Sequence, residues 1–251
     1  MDLNHYVSLY PAYFVAITLG VFVHTHLGGF FPYSVKNEII SYEFKKPWLE
    51  IFLVLAAGIL TIFLGQLYIA GYMLPKGDFY PLTESINQIL IFSPFFLLLL
   101  IRKQPLFTAY IPRNGKLQSL VVGVSLAVSG LLIVLLIKDV EDVLGAMYKI
   151  YHFKNLPHLV QVCLEDFAIA MVLFRLIKWV GAARAIIIVA ILFAASHVPA
   201  LITNGFEVNN LIGLFLDAVL GAMVIGAIHR TKSFLWFWMI HYAMDMTQFI
   251  N

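Results

Sequence analysis

The sequence predicts an all-α fold, a polytopic transmembrane helical bundle with about eight spans. Apolar residues make up 61% of the 251-residue chain and charged residues only 12%, whereas a soluble domain carries about 25% charged residues. The mean hydropathy of the chain is +0.90. Apolar runs of about 20 residues, long enough to cross a bilayer, recur along the whole chain.

Eight runs meet this criterion. In chain order they are 7–26, 48–74, 85–101, 117–137, 157–177, 184–202, 208–228 and 233–250. Turn-forming residues separate them at 75–78, 112–115 and 204–205. The third run is short and contains Pro94, a residue that interrupts helices, so it is the weakest of the eight.

The chain has two parts within the same membrane domain. Residues 1–150 contain about four spans, and residues 151–251 contain about four more, which carry the ionisable side chains. Loops rich in Lys and Arg are assigned to the cytoplasm by the positive-inside rule. These are the loops at 27–47, 102–116, 178–183 and 229–232. We expect an integral multi-pass protein of a prokaryotic plasma membrane.

Composition also excludes some functions. The net charge of +2 gives no basis for nucleic-acid binding, and the single cysteine, Cys163, excludes a disulfide framework.

Ionisable side chains lie inside the C-terminal runs, where a charge near the bilayer centre costs several kcal/mol. The acids are Glu165, Asp166, Asp217 and Asp245, and the histidines are His197 and His241. Counted at about 1.5 Å per residue, these groups lie roughly 8–14 Å from one membrane face. Because four antiparallel spans bring them to a common depth, we interpret them as one functional site.

Helical spacing groups these residues further. His241 and Asp245 are four residues apart and share one helix face, as do Phe193 and His197. A lone intramembrane histidine is more often a structural hydrogen-bond partner than a catalyst. The pair formed by His241 and Asp245 is compatible with either a structural or a functional role.

The span that begins near residue 157 has a polar stripe. Gln161 and His158 lie one and two turns before Glu165 on a common face, so water could reach Glu165 along them. Asp166 points about 100° away from Glu165. We interpret it as an anchor for a neighbouring helix.

The chemistry that fits this set is hydrolysis. A glutamate removed from water is a stronger base and can activate a water molecule. Glu165 is the candidate base, and His197 could share the proton and pass it to a leaving amine. His241 with Asp245 could place positive charge where an oxyanion develops.

Three motifs in the stretch from about 157 to 250 resemble those of the CAAX-protease and bacteriocin-processing (CPBP, or Abi) family of intramembrane glutamic proteases. Glu165-Asp166-Phe167-Ala168-Ile169-Ala170 is similar to the family's Glu-Glu-x-x-x-Arg, Phe193-Ala194-Ala195-Ser196-His197 to its Phe-x-x-x-His, and His241-Tyr242-Ala243-Met244-Asp245 to its His-x-x-x-Asn/Asp. The segment 226–233 is similar to the family's short basic turn.

The resemblance implies hydrolysis of peptide bonds within the membrane and no cofactor. It assigns the base to Glu165, its partner to His197, and the oxyanion region to His241 and Asp245. Zinc held by Glu165, His197 and His241 is the alternative to this metal-free mechanism. The expected partners are membrane lipid and a peptide or protein substrate with a hydrophobic or lipidated tail.

The sequence departs from the family pattern at four positions. Ala170 stands where the first motif has Arg, and Arg175 lies on the opposite helix face. Asp166 is shorter than the usual second Glu, and Asp245 replaces an Asn found in many members. Asp217 stands where a small residue is usual.

Two other functions remain open because of these departures. A non-catalytic member would serve as a membrane binding or immunity protein. An ion- or proton-coupled transporter would use Glu165, Asp217 and Asp245 as a relay, although the sequence has no visible inverted repeat.

Overall fold

The computed structural model describes residues 3–26, 42–75, 77, 79–195 and 208–250. Within these ranges the chain folds into ten α-helices. They are α1 (Leu3–His26), α2 (Pro47–Ile69), α3 (Tyr80–Ile91), α4 (Ser93–Ile101), α5 (Lys116–Ile137), α6 (Val143–Ile150), α7 (Leu156–Val180), α8 (Ala182–Ala195), α9 (Val208–Thr231) and α10 (Leu235–Met246). Short 3₁₀ helices lie at Leu106–Ala109, Phe153–Asn155 and Thr247–Phe249.

Four of the described helices are long and apolar enough to cross a membrane. They are Tyr6–His26 within α1, Pro47–Ile69, Lys116–Ile137, and Leu211–Thr231 within α9. The helices α3 and α4 meet at an angle of 50° and make a fifth candidate if the bent pair is one span. These helices confirm the prediction of an all-helical, multi-pass membrane protein.

Among the described helices, four meet the length and hydropathy criteria for a span, or five with the bent pair, and not the predicted eight. The described part of α8 has 14 residues and α10 has 12, fewer than the roughly 20 that a straight crossing needs. The helix α7 has 25 residues, but it carries four charged side chains. These are Glu165, Asp166, Arg175 and Lys178. Hydropathy counts apolar residues and does not detect where a helix ends or which of its faces is polar.

Proline and capping residues set the helix boundaries. Four helices have Pro in the first turn, where the missing N–H costs nothing: Pro47, Pro81, Pro94 and Pro157. Pro94 therefore lies in the first turn of α4, and the bend falls just before this helix. The Asp142 side chain caps α6 by accepting a hydrogen bond from the Gly145 N–H at 2.8 Å.

The helix α10 is enclosed by α1, α5 and α7, and glycines permit its close approach. A Cβ atom at Gly123 of α5 would lie 2.8 Å from the Cα of Trp236, which is fully buried. Gly20 of α1 faces the indole of the same tryptophan. Small residues let helix backbones approach in a membrane bundle. These contacts fix α10, and with it His241, in the interior.

Candidate active site

Predicted site residues from α7, α8, α9 and α10 line one cavity, which we call the central cavity. Its volume is about 600 Å³. The polar part of its wall includes Glu165, Asp217, His241 and Asp245, with Phe193 beside them. Much of the remaining wall is apolar and includes Leu55, Ile62, Phe95, Val172, Val189 and Leu192. Carboxylates and an imidazole therefore face a space that suits an apolar chain.

His197 lies outside the described residues, within the interval 196–207. The described part of α8 runs to Ala195, two residues before His197 in the sequence. Phe193, one turn before His197, lines the central cavity.

Asp166 and His241 form a buried pair between α7 and α10. The Nδ1 atom of His241 lies 2.9 Å from the Oδ1 atom of Asp166, and both side chains are buried. The ring of Phe237 stacks on the imidazole, with centroids 5.5 Å apart and planes inclined by 29°. Asp166 thus contacts a neighbouring helix, which is the anchoring role suggested by its direction on α7.

Asp245 contacts a second histidine, on α7. Its Oδ2 atom lies 3.3 Å from the Nε2 atom of His158, while the Nδ1 atom of His241 contacts Asp166. Residues four apart share a face, but tertiary packing decides which partner each side chain meets. Asp245 still acts electrostatically on the imidazole of His241.

Glu165 connects the central cavity to a second one. Its Oε1 atom accepts a hydrogen bond of 2.9 Å from the Nε2 atom of Gln161. Gln161 and His158 line a cavity of about 550 Å³, which we call the polar cavity. The exposed side chains of Lys149 and Lys154 also line it. The polar stripe on α7 therefore leads from an open cavity to the Glu165 carboxylate.

No group of three His, Cys, Asp or Glu side chains in the described ranges is arranged to hold a metal ion. The zinc set named above includes His197, which lies outside those ranges.

The segment that carries these residues matches a known family. Residues 153–247 match the family model described as Type II CAAX prenyl endopeptidase Rce1-like. These residues are an Rce1-like domain of the CPBP/Abi family. The family consists of peptide-bond hydrolases. Comparison of the chain with curated proteins and with solved structures gave no match.

The Rce1-like domain begins just before α7 and ends just after α10. It contains the predicted residues from Glu165 to Asp245, including His197. The helices α1 to α6 lie outside the matched segment, yet α1, α2 and α4 contribute side chains to the central cavity.

The position of the motif arginine is occupied by Ala170 in this domain. Ala170 is fully buried. Arg175 donates from Nη1 to the Met171 carbonyl oxygen at 2.9 Å and from Nη2 to the Gln104 side chain. Gln104 in turn donates to Glu50 on α2 at 2.6 Å. The Arg175 guanidinium therefore makes its hydrogen bonds with Met171 and Gln104 and not with Asp166. The Oδ2 atom of Asp166 is buried without a hydrogen-bond partner among the described residues.

The first helix supplies site residues that the sequence reasoning missed. The Tyr6 hydroxyl donates to the Oδ1 atom of Asp217 at 3.1 Å, and the Tyr10 hydroxyl donates to the Leu216 carbonyl oxygen. Tyr13 lines the central cavity and lies within electrostatic range of Asp166, Asp217 and Asp245. The helical spacing of tyrosines at 6, 10 and 13 was the available signal for this face.

Proposed function

We propose that the Rce1-like domain is an intramembrane endopeptidase that cuts a peptide or protein with a hydrophobic or lipidated tail. The observation that carries this proposal is the position of Glu165. Its side chain lines the apolar-walled central cavity and accepts a hydrogen bond from Gln161, which lines the open polar cavity. One carboxylate thus adjoins both a route for water and a space for an apolar substrate.

The proposed reaction is a general-base hydrolysis. Glu165 takes a proton from water while the water oxygen bonds to the scissile carbonyl carbon. His241, held by Asp166, provides positive charge beside the oxyanion that forms. When the carbon–nitrogen bond breaks, the proton reaches the leaving amine through His197. The products are a carboxylate and an amine, and no redox step occurs.

The substrate is proposed to enter from the lipid. Side chains of α2, α4 and α8 give the central cavity its apolar wall, which suits the tail of a membrane-associated substrate. In this arrangement α7, α8 and α10 also lie in the membrane and complete about eight spans. Plasma-membrane location in a prokaryote remains part of the proposal.

Two substitutions test the mechanism. We expect Glu165→Gln and His197→Ala each to lower cleavage by roughly 10²–10⁴-fold, the usual contribution of a general acid or base. Comparative peptidomics of cells with wild-type or Glu165→Gln protein would identify the lost products. Glu141→Gln changes an exposed acid and serves as the matched control. Full cleavage by either site variant, inserted at wild-type levels, would refute the mechanism.

The zinc alternative has its own measurement. Metal analysis of the purified protein, combined with cleavage assays under chelation, separates it from the metal-free mechanism. Loss of cleavage on chelation, with recovery on adding zinc, would replace the proposed mechanism.

A non-catalytic membrane binding or immunity protein is the second candidate. Ala170 and the unpartnered Oδ2 atom of Asp166 favour it, because the guanidinium of the family motif has no counterpart beside them among the described residues. This candidate predicts that Glu165→Gln leaves the cellular phenotype unchanged.

A further inference from the structure

Asp217 is a carboxylate of the central cavity that the proposed hydrolysis does not use. It lies on α9 and lines the cavity together with Glu165, His241 and Asp245. In the proposed reaction Glu165 takes the proton from water and His241 provides positive charge, whereas Asp217 has no step. A carboxylate at membrane depth is costly and marks a functional position by default.

Contacts from α1 hold Asp217 at the cavity wall. The Tyr6 hydroxyl donates to its Oδ1 atom at 3.1 Å, and the Tyr10 hydroxyl donates to the carbonyl oxygen of the preceding residue, Leu216. A hydroxyl donor suits an ionised carboxylate, which can only accept. The helix α1 is also fixed independently of Asp217, because the ring of Tyr13 stacks on Phe237.

Acidic groups dominate the described lining of the central cavity. Glu165, Asp217 and Asp245 face it, together with the single imidazole of His241, and no lysine or arginine is among the described residues that line it. The imidazole is itself paired with the buried Asp166 at 2.9 Å. Since apolar walls lower the local dielectric constant and strengthen the field of these carboxylates, the cavity attracts a cationic group.

Asp217 is the acid of this lining that best suits a cationic side chain. Glu165 is the proposed base, and Asp245 lies 3.3 Å from the Nε2 atom of His158. Asp217 accepts its hydrogen bond from a neutral hydroxyl, and the apolar side chains of Leu9 and Leu220 line the same cavity. A lysine or arginine can lay its aliphatic stem on an apolar wall and direct its charged end to a carboxylate.

We propose that Asp217 selects substrates with a basic side chain, Lys or Arg, close to the cleaved bond. The inference rests on the proposed endopeptidase function. The cavity of about 600 Å³ is about 10 Å across, and an extended chain advances about 3.3–3.6 Å per residue. The basic residue therefore lies within about three residues of the cut.

Binding can be measured without turnover. The full-length Glu165→Gln protein, purified in a non-ionic detergent, is titrated calorimetrically with the end-blocked peptide acetyl-Ala-Leu-X-Leu-Ala-amide, in which X is lysine, norleucine or glutamate. We expect the lysine peptide to bind roughly tenfold or more tightly than the norleucine peptide, and the glutamate peptide to bind most weakly, because only lysine forms a charge-assisted contact. Equal affinity for lysine and norleucine, or no binding of any peptide, would overturn the inference.

Further substitutions assign the preference to Asp217. Adding Asp217→Asn removes the charge, keeps an acceptor for Tyr6 and should bring the lysine and norleucine affinities together. Adding Asp217→Glu keeps the charge and should retain the preference, so it remains informative if Asp217→Asn fails to fold. Asp139→Asn is the matched control, since Asp139 is exposed and its φ of 53° is one that asparagine tolerates. A preference that survives Asp217→Asn, with or without a lower Tm, would mean that Asp217 only joins α9 to α1.

Two other sources carry the same ammonium group, a peptide's free N-terminus and the head group of phosphatidylethanolamine. The side chain is the better match because an endopeptidase holds the interior of its substrate in the cavity. The norleucine peptide with an unblocked amine and dihexanoyl phosphatidylethanolamine are therefore titrated in parallel. Tighter binding of either one than of the lysine peptide would overturn the side-chain assignment.

The inference and the proposed function fail separately. Among peptides that depend on Glu165 in cells, cut sites should have Lys or Arg nearby more often than uncut segments do, and Asp217→Asn should remove this enrichment. Cleavage without a preference for basic residues removes the inference. Binding that prefers lysine, without cleavage by the wild-type protein, removes the endopeptidase.

Discussion

The Nδ1 atom of His241 lies 2.9 Å from the Oδ1 atom of Asp166. This contact joins the third motif of the Rce1-like domain to the first, across the interface of α10 and α7. Both side chains are buried, and a charge in such a place is costly without its partner. Each residue therefore determines the orientation of the other. Asp245, on the same helix as His241, contacts His158 instead.

Asp166→Asn tests which acid orients the histidine. The substitution keeps the size of the side chain and removes the negative charge of the carboxylate that lies beside Nδ1 of His241. We expect kcat for peptide cleavage to fall roughly tenfold or more, with a lower Tm in detergent, because a charge-assisted hydrogen bond is lost. Asp245→Asn is the comparison and should cause a smaller loss of both. A larger loss of kcat in Asp245→Asn would assign the orientation to Asp245.

The sequence indicates which residues line the site, but it does not indicate which of them contact each other. Glu165, Asp217, His241 and Asp245 line one cavity, and their common depth along apolar runs was visible in the sequence. Depth along a helix follows from counting residues. The partner of His241 depends on how α7 and α10 are rotated against each other, and no spacing within either helix contains that information.

Residues from outside the Rce1-like domain were missed for a related reason. Tyr6 and Tyr13 belong to α1, which is distant in the sequence from α9 and α10 and meets them only in the folded bundle. Glu84 lies one residue before the predicted run at 85–101. The structure buries it within α3.

Gln161→Leu tests the water route to Glu165. Leucine keeps an approximate side-chain volume but cannot donate to the Oε1 atom of Glu165 or hydrogen-bond to water. We expect kcat to fall roughly tenfold with little change in KM, because the proposed substrate tail would occupy the central cavity. Gln118→Leu changes an exposed glutamine on α5 and should alter neither constant. A raised KM with unchanged kcat would place Gln161 in substrate binding.

Gly123→Ala tests the close approach of α5 and α10. The added methyl carbon would lie 2.8 Å from the Cα of Trp236 and overlap its carbonyl oxygen. Neither backbone atom can move freely, so we expect a loss of about 1–3 kcal/mol in unfolding free energy. Gly65→Ala is the matched control, since no atom lies within 4 Å of the Cβ position. It should be neutral or slightly stabilising, because alanine favours helix.

Thermal unfolding in detergent measures both glycine variants. Equal Tm values for Gly123→Ala and the wild-type protein would mean that α5 and α10 are farther apart than described.

Tyr13→Phe tests whether α1 contributes to catalysis. Asp245 stands where many family members have Asn, and an ionised carboxylate cannot donate a hydrogen bond to an oxyanion. Tyr13 lines the central cavity with His241 and Asp245, so its hydroxyl is a candidate donor. We expect kcat to fall roughly 10²-fold, the lower end for removal of one oxyanion donor, while Tm stays near the wild-type value.

Tyr242→Phe is the control, and it should lower stability without lowering kcat. Its hydroxyl donates to the Ile150 carbonyl oxygen at 2.5 Å, so its removal leaves a buried acceptor without a donor. We expect a loss of about 1–3 kcal/mol in stability and little change in kcat per folded molecule. If Tyr13→Phe instead lowers Tm and leaves kcat unchanged, then Tyr13 only packs α1 against Phe237, with which its ring is stacked at 6.2 Å. The oxyanion donor would then have to come from within the Rce1-like domain.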